Sequence, residues 1–346
     1  MNNEAEVLCQ IEQVVGELRS RDLPLRVDGR KHTCGPKGKG WYKLYEWRPD
    51  AGGVFITGSY GSYKTGEWQK VLLDTSALSE AEKARRQRER ESREAAARAE
   101  REREAGWAAK SAAEQWRAAQ PHGESAYLQR KLVVGEACRY LPDGSIVIPL
   151  LRYDLPREQA LRGVQRIFGD GRKLFTRGFE KPGACTRLGH VVVGEPVLVC
   201  EGYATGLTLR MAIGGRLPVF VALDAGNLLP AVQMLRALHP QCPILICADD
   251  DWRTRDQRGE PMNPGRDKAR AAMRATPDTH MIFPVFSGLV RGDKDTDFND
   301  LHARAGLNAV ARQLRTPLQY FGLRLPDPAV GVNQQEPDRA GGKHVA

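Results

Sequence analysis

The second half of the chain holds four short runs in which nearly every position is apolar, at 197–200, 219–223, 244–247 and 280–283. Uninterrupted apolar runs of strand length mark parallel strands covered on both faces. Between them, 204–213, 228–238 and 265–275 have helical length and composition. The alternation predicts a βαβ array and a parallel sheet over 191–318. Upstream, 145–153 and 161–168 read as strands, and Gly169-Asp170-Gly171-Arg172 reads as a hairpin turn before Leu174. Residues 121–190 are therefore expected to form a mixed α/β segment. Residues 79–120 change character. A capping-box-like Ser79-Glu80-Ala81-Glu82 leads into 83–104, almost all Arg, Glu and Ala. This predicts a long solvated helix serving as a linker, docked by Trp107 and Trp116 and stopped by Pro121. Residues 1–78 begin with an amphipathic stretch (Val7, Ile11, Val14, Val15, Leu18). Short aromatic runs between glycine clusters follow, which predicts a small antiparallel β module. Residues 319–346 are expected to be a flexible tail, poor in apolar residues from 325 onward.

Composition narrows the function. Of 346 residues, 41% are hydrophobic and 27% charged, and no apolar run approaches the ~20 residues of a membrane span. The first residues are a mixed charged stretch and not a secretory signal, so a cytoplasmic location is expected. Lys and Arg number 52 against 43 for Asp and Glu, a net charge of +9. That excess favours a polyanionic partner such as nucleic acid, although a basic enzyme without one has the same balance. The seven cysteines are scattered, with no Cys-x-x-Cys. Neither a disulfide framework nor a zinc site is expected.

Ligands of parallel sheets sit at the carboxyl ends of the strands. Here those ends are acidic. The first strand runs into Glu201-Gly202, the third into Asp249-Asp250-Asp251, and Asp295-Thr296-Asp297-Phe298-Asn299-Asp300 follows the fourth. Converging carboxylates repel and raise one another's pKa unless hard divalent cations intervene. In Asp-x-Asp beyond a strand, alternate residues point the same way, so Asp249 and Asp251 would face a metal while Asp250 points elsewhere.

A strand ending Glu-Gly, followed by a strand ending Asp-x-Asp, resembles the Toprim domain of bacterial-type primases, type IA and II topoisomerases and some nucleases. More narrowly, several motifs resemble primases of plasmids, integrative elements and phages. These are Glu201-Gly-Tyr-Ala-Thr-Gly-Leu-Thr-Leu209, Asp224-Ala-Gly-Asn227, Asn263-Pro-Gly-Arg266 and Asp297-Phe-Asn-Asp-Leu301. Tyr127-Leu-Gln-Arg-Lys-Leu132 and Val164-Gln-Arg-Ile-Phe-Gly-Asp-Gly-Arg-Lys-Leu174 resemble the basic half of a primase RNA polymerase core. Gly40-Trp-Tyr and Gly61-Ser-Tyr-Lys-Thr-Gly66 resemble a small N-terminal module of the same proteins. The resemblance spans about residues 25–318.

The resemblance implies an α/β protein. A Toprim catalytic domain, a Rossmann-like parallel sheet, fills 191–318. A mixed α/β basic subdomain at 121–190 and a β-rich module at 1–78 precede it. The implied activity is RNA primer synthesis on single-stranded DNA from ribonucleoside triphosphates, with Mg²⁺ or Mn²⁺ and a replicative helicase as a further partner. Glu201, Asp249 and Asp251 are the implied catalytic and metal-binding acids. Asp297 and Asp300 match the last acidic motif and are implied as further metal ligands, with Asp293 and Asp295 offering other registers. Asp224 would assist or cap a turn. Arg130, Lys131, Arg166, Arg172, Lys173 and Lys268 would bind template and nucleotide, with Arg166 the foremost.

Two features depart from cellular primases. There are no cysteines for a zinc ribbon, so either the aromatic module replaces it, with Trp41, Tyr42, Tyr45, Trp47, Tyr60, Tyr63 and Trp68 stacking bases if they are not simply core, or template selection is done elsewhere. Gly58–Thr65 lacks the glycine that a P-loop needs before its Lys, since Tyr63 stands there. The competing functions are a Toprim nuclease and a non-enzymatic single-stranded-DNA-binding protein.

Overall fold

The computed structural model describes residues 3–49, 52–63, 65–73, 80–256 and 259–324. The expected cap at Ser79 and the tail from 325 lie outside the described residues. Contacts divide the chain into two units, Met1–Ala99 and Glu100–Ala346.

The first unit opens with α1 (Glu4–Val15) and continues through β1 (Asp28–Cys34), β2 (Gly40–Trp47), β3 (Phe55–Ser62) and β4 (Trp68–Lys70). The four strands form the expected antiparallel sheet in sequence order. Val7, Ile11 and Val15 recur at helical spacing and bury one stripe of α1 against Tyr42, Leu44, Ile56 and Tyr60. The helix rests on the sheet at Gly40, where a Cβ would lie 2.5 Å from that of Val15. Tyr42, Trp47 and Tyr60 are core residues, whereas Tyr63 and Trp68 are exposed. Gly58–Ser62 belongs to β3 and makes no phosphate loop.

Helix α2 (Glu80–Ala118) begins in the first unit and ends in the second. Its buried stripe in the second unit is Ala105, Ala108 and Ala112, continued by Ala119 just past its end, with Trp116 packed alongside. Trp107 stands one position off that stripe and is 72% exposed, so it does not dock the helix as expected.

The second unit continues with α3 (Ala126–Arg130), β5 (Arg139–Tyr140), β6 (Ile146–Leu151), β7 (Leu161–Ile167), β8 (Lys173–Phe175) and β9 (Thr186–Leu188). Then come β10 (Val197–Cys200), α4 (Tyr203–Ala212), β11 (Val219–Val221), α5 (Leu228–Leu238), β12 (Ile244–Cys247), α6 (Pro264–Ala275), β13 (Thr279–Ile282), α7 (Phe298–Ala305) and α8 (Leu307–Tyr320). β5 to β8 form an antiparallel sheet with the expected turn at Gly169–Arg172. The second sheet has the order β13-β12-β10-β11-β9, parallel except for edge strand β9.

Alternation along these strands divides the core. Leu198, Cys200, Leu245 and Cys247 face α4, α7 and α8 together with Ile146, Ile148 and Ile167 from the antiparallel sheet. Val197, Val199, Ile244 and Ile246 face α5 and α6. Each such side chain contributes roughly 1.5–3 kcal/mol by burial, which favours the uninterrupted apolar runs. β11 stops two residues short of the expected 223, because Leu223 takes φ 78° and turns the chain into Asp224. The fold also runs past 318. α8 ends at Tyr320, and Phe321 and Leu323 pack on the core, so 319–324 are not a free tail. All seven cysteines are unpaired thiols. Among the described residues, no helix is long and apolar enough to cross a membrane.

Candidate active site

The acids of this site stand where strands give way to helices. Glu201 is the first residue beyond β10, and Gly202 caps α4. Asp249 lies two residues beyond β12. Asp251 Oδ2 accepts a hydrogen bond from the Gly265 N–H at 2.9 Å, in the first turn of α6. That helix starts with Pro264 after Asn263, whose side chain accepts from the Arg266 N–H. Only glycine fits at 265, since a Cβ there would lie 2.5 Å from the Asp249 carbonyl oxygen. Asp297 caps α7 in a capping box with Asp300. Asp297 Oδ1 accepts from the Asp300 N–H at 2.8 Å, and Asp300 Oδ2 accepts from the Asp297 N–H at 3.2 Å. The Thr205 hydroxyl donates to Asp297 Oδ2 at 3.0 Å and joins α4 to α7.

These positions bring the carboxylates into one another's field. Burial, then Asp251, Asp224 and Asp297, push the Glu201 carboxyl up to about 7, against one hydrogen bond from the Asp249 N–H. Burial and the charges of Glu201 and Asp297 raise Asp249 well above its ordinary value. Asp297 is raised by burial and by Asp300. Glu201 Oε1 and Asp249 Oδ1 are buried and without hydrogen-bond partners. A buried unsatisfied acceptor costs about 1–3 kcal/mol, more when charged, and a hard cation would satisfy both. Among the described residues, no group of three or more His, Cys, Asp or Glu side chains is placed to hold a metal ion by itself. The two unsatisfied oxygens of Glu201 and Asp249 would suit a Mg²⁺-like ion, which takes one or two protein carboxylates and keeps water and phosphate ligands.

Asp250 is turned away from the other acids. It is 1% exposed and held by Arg266 and Arg291, each at 2.7 Å, and by the Asn263 amide at 2.6 Å. The alternative acids are also engaged. Asp295 pairs with Arg304 and Asp293 with Arg253, both at 2.7 Å. Asp224 pairs with Lys181 at 2.6 Å and caps the turn at Asn227.

The basic residues divide into two groups. Lys131 Nζ lies 3.7 Å from Asp300 Oδ1. Lys173 is surface-exposed and feels the charges of Asp297 and Asp249, which oppose the lowering of its pKa by desolvation. The other group has its contacts elsewhere. Arg130 donates to the Gly169 carbonyl and braces the β7–β8 turn. Arg172 lies 3.9 Å from the centre of the Phe168 ring. Arg166 donates to Ser145 at 2.8 Å and pairs with Asp143. Register places Arg166 opposite Val147 and Leu174, and Lys173 opposite Ile167. Opposed residues share a face, so Arg166 lies on the face that carries Val147 and Val164, which pack on α2. Lys173 lies on the other face, with the core side chain of Ile167. Lys268 is exposed on α6.

Several residues that sequence reasoning missed assemble the site. Asn299 is buried and donates to the Lys131 carbonyl at 2.7 Å and to the Thr208 hydroxyl at 3.0 Å. His302 contacts the Leu132 carbonyl at 3.0 Å. Helix α7 thus carries Asp297 and Asp300 and also grips the segment bearing Lys131. The only signal for Asn299 was its place between two motif acids. Thr205 was marked only by its place inside the 201–209 motif, and Lys181 and Arg291 carried no signal.

No family model matches the chain. Over 127 residues, 36% of its length, it is 36% identical to a DNA primase TraC of Escherichia coli. The chain resembles a DNA primase. A second DNA primase TraC of the same organism matches over 127 residues at 36% identity. The matched stretch spans 12% and 8% of the lengths of these relatives. Among solved structures, the primase fragment of the bacteriophage T7 primase-helicase protein aligns with a TM-score of 0.37. It is 14% identical, over 55% of this primase-like chain and 69% of that one. A bacteriophage T7 lagging-strand DNA polymerase complex with primase domains aligns at 0.34 and 16% identity, over 54% and 84% of the two chains.

Proposed function

We propose that the chain is a DNA primase with a Toprim-type site that joins ribonucleotides into short primers on single-stranded DNA. The observation that carries this reading is one arrangement at the carboxyl edge of the parallel sheet. Three mutually repelling acids, Glu201, Asp249 and Asp297, the first two each with an unsatisfied oxygen, lie in the field of two lysines, Lys131 and Lys173. The likeness to DNA primase TraC supports the same substrate class.

Glu201 and Asp249, with Asp251 beside them, would hold Mg²⁺ or Mn²⁺ together with phosphate and water ligands, and the ion would supply charge neutralisation of a triphosphate and acidification of a 3′-hydroxyl. Both Asp297 oxygens are already bonded, so Asp297 orients the acid edge through Thr205 and Asp300. Lys131 and Lys173 neutralise phosphate oxygens of the incoming nucleotide. The α6 N-terminus fixes Asp251 through the Gly265 N–H. Glu201, whose buried Oε1 has no hydrogen-bond partner, would either orient the metal ion or accept the 3′-hydroxyl proton as the new phosphodiester forms and pyrophosphate leaves.

The test is primer synthesis on single-stranded DNA with labelled ribonucleotides and Mg²⁺, comparing wild type with Asp249→Asn. Short templated products that vanish in the variant are expected. Cleavage of the template would replace the reading with a nuclease. Equal DNA binding by both proteins with no product from either would replace it with a non-enzymatic binding protein.

A further inference from the structure

The first unit contains a groove that the catalytic reading does not use. It lies between the β2–β4 side of the sheet and the first half of α2, with a volume of about 550 Å³. That is within the roughly 300–1,000 Å³ of ligand sites. Six Lys or Arg side chains line it, and among the described residues one carboxylate, Glu94. Three of the cations arise from helical spacing. Arg86, Arg90 and Arg93 recur at i, i+4 and i+7, which puts them on one face of α2. Lys43 and Lys70 oppose them from the sheet. Glu94 is shared between Lys70 and Arg90, each at 3.6 Å, so the groove keeps a strong positive excess.

The aromatic side chains are equally specific in placement. Arg86 covers the Trp47 ring at 5.1 Å, and Arg93 covers Tyr45 at 4.8 Å. Trp68 differs: it lines the groove from β4 and is 58% exposed. An exposed indole on the wall of a cationic groove is a stacking platform for an unpaired base. Duplex bases are already stacked and do not present such a face. Burial and the neighbouring charges of Arg90 and Arg93 lower the Arg86 pKa, a sign of like-charge crowding that a polyanion would relieve.

We propose that this groove binds single-stranded polynucleotide, with a base stacked on Trp68 and backbone phosphates on Arg86, Arg90, Lys43 and Lys70. It is a second nucleic-acid site, carried by residues 43–97, and it does not depend on the acids of the second unit. It supplies, without zinc, a means of holding a strand.

The test uses the full chain and an oligo(dT) of about 12 nucleotides, within the ~4–16 nucleotides that small single-strand folds cover. Photocrosslinking with 5-iodouracil at one position, followed by peptide mapping, is expected to place an adduct on the Trp68 peptide. Trp68→Ala is expected to weaken binding about 5- to 150-fold, the range of base–aromatic stacking, with melting temperature unchanged. Arg90→Gln is expected to lower the slope of log affinity against log salt by about 0.7, one phosphate contact. A parallel oligo(rU) arm assigns the site to template-like DNA or primer-like RNA. The inference is overturned if adducts fall only in the second unit while Trp68→Ala binds normally. It is also overturned if polyglutamate displaces the oligonucleotide at equal charge. Either result leaves the proposed acid site standing, because that site rests on other residues.

Discussion

Replacing Glu201 by Gln should stabilise the metal-free protein, and by an amount that depends on pH. The Glu201 carboxyl is 8% exposed and moves from an ordinary 4.5 to about 7 in the folded chain. Because the folded pKa lies above the unfolded one, the folded state binds the proton more tightly. Stability therefore falls as pH rises from about 4.5 to about 7 and levels off above that window. The rise of about 2.5 units corresponds to at most about 3 kcal/mol, at ~1.36 kcal/mol per unit. Gln keeps the shape and can accept the same hydrogen bond from the Asp249 N–H, but it carries no charge. In EDTA at pH 8, Glu201→Gln should melt higher by about 6–12 °C, taking ~2–4 °C per kcal/mol for a unit of this size. At pH 5 most wild-type Glu201 is protonated when folded, and the gap should shrink to about 1 kcal/mol. Millimolar Mg²⁺ at pH 8 should stabilise wild type more than the variant and narrow the gap. Scanning calorimetry of the second unit's transition at both pH values, with and without Mg²⁺, measures all of this. A variant that melts lower than wild type at pH 8, or a gap independent of pH, would refute the account of a repelling, cation-seeking acid edge.

Three further outcomes follow from the same geometry. Asp250→Ala leaves Arg266 and Arg291 facing each other without their buried counter-charge, and should cost about 3–5 kcal/mol in denaturant unfolding. Gly265→Ala drives a Cβ against the Asp249 carbonyl. It should cost about 1–3 kcal/mol, as overpacking does, and should reduce primer synthesis further by displacing Asp249 and Asp251. Trp107→Ser should change stability by less than about 0.5 kcal/mol, since the indole is exposed, whereas a docking residue would cost several.

The parallel sheet was legible almost to the residue. β10 and β12 coincide with apolar runs because burial on both faces leaves no polar position to blur their ends. The acids were legible for a related reason. A strand end is the place where an apolar run stops, so Glu201 and Asp249 are marked by what precedes them. The basic side of the site was not legible. Arg166 and Lys173 both lie in strand-like text, and alternation says only that each has a face. Which face meets the acids depends on how the antiparallel sheet folds over the parallel one, through contacts such as the Thr186 hydroxyl donating to the Pro149 carbonyl at 2.6 Å. No periodicity encodes that. Trp107 fails for a different reason. In a helix that is mostly Arg, Glu and Ala, the buried stripe is made of alanines, and a large aromatic one position away draws the eye to the wrong face.

The same logic explains how four acids can crowd one sheet edge without unfolding it. Three of them adjoin helix N-termini: Glu201 before α4, Asp251 at α6 and Asp297 at α7. Each N-terminus contributes roughly half a positive charge, worth about 0.3–1 kcal/mol to a nearby carboxylate. That offsets part of the mutual repulsion but not all of it, since burial and like charge still raise Glu201, Asp249 and Asp297. Asp250 is treated differently from its two neighbours: two arginines neutralise it outright and tie 249–251 to α6 and to the loop carrying Arg291. Had Arg266 and Arg291 paired with Asp249 instead, the edge would be more stable and unable to bind a cation. The fold thus uses the middle Asp to anchor the chain, ties Asp251 to α6, and leaves Asp249 beside Glu201 with an unsatisfied oxygen each; that pair is the part with chemistry left to do.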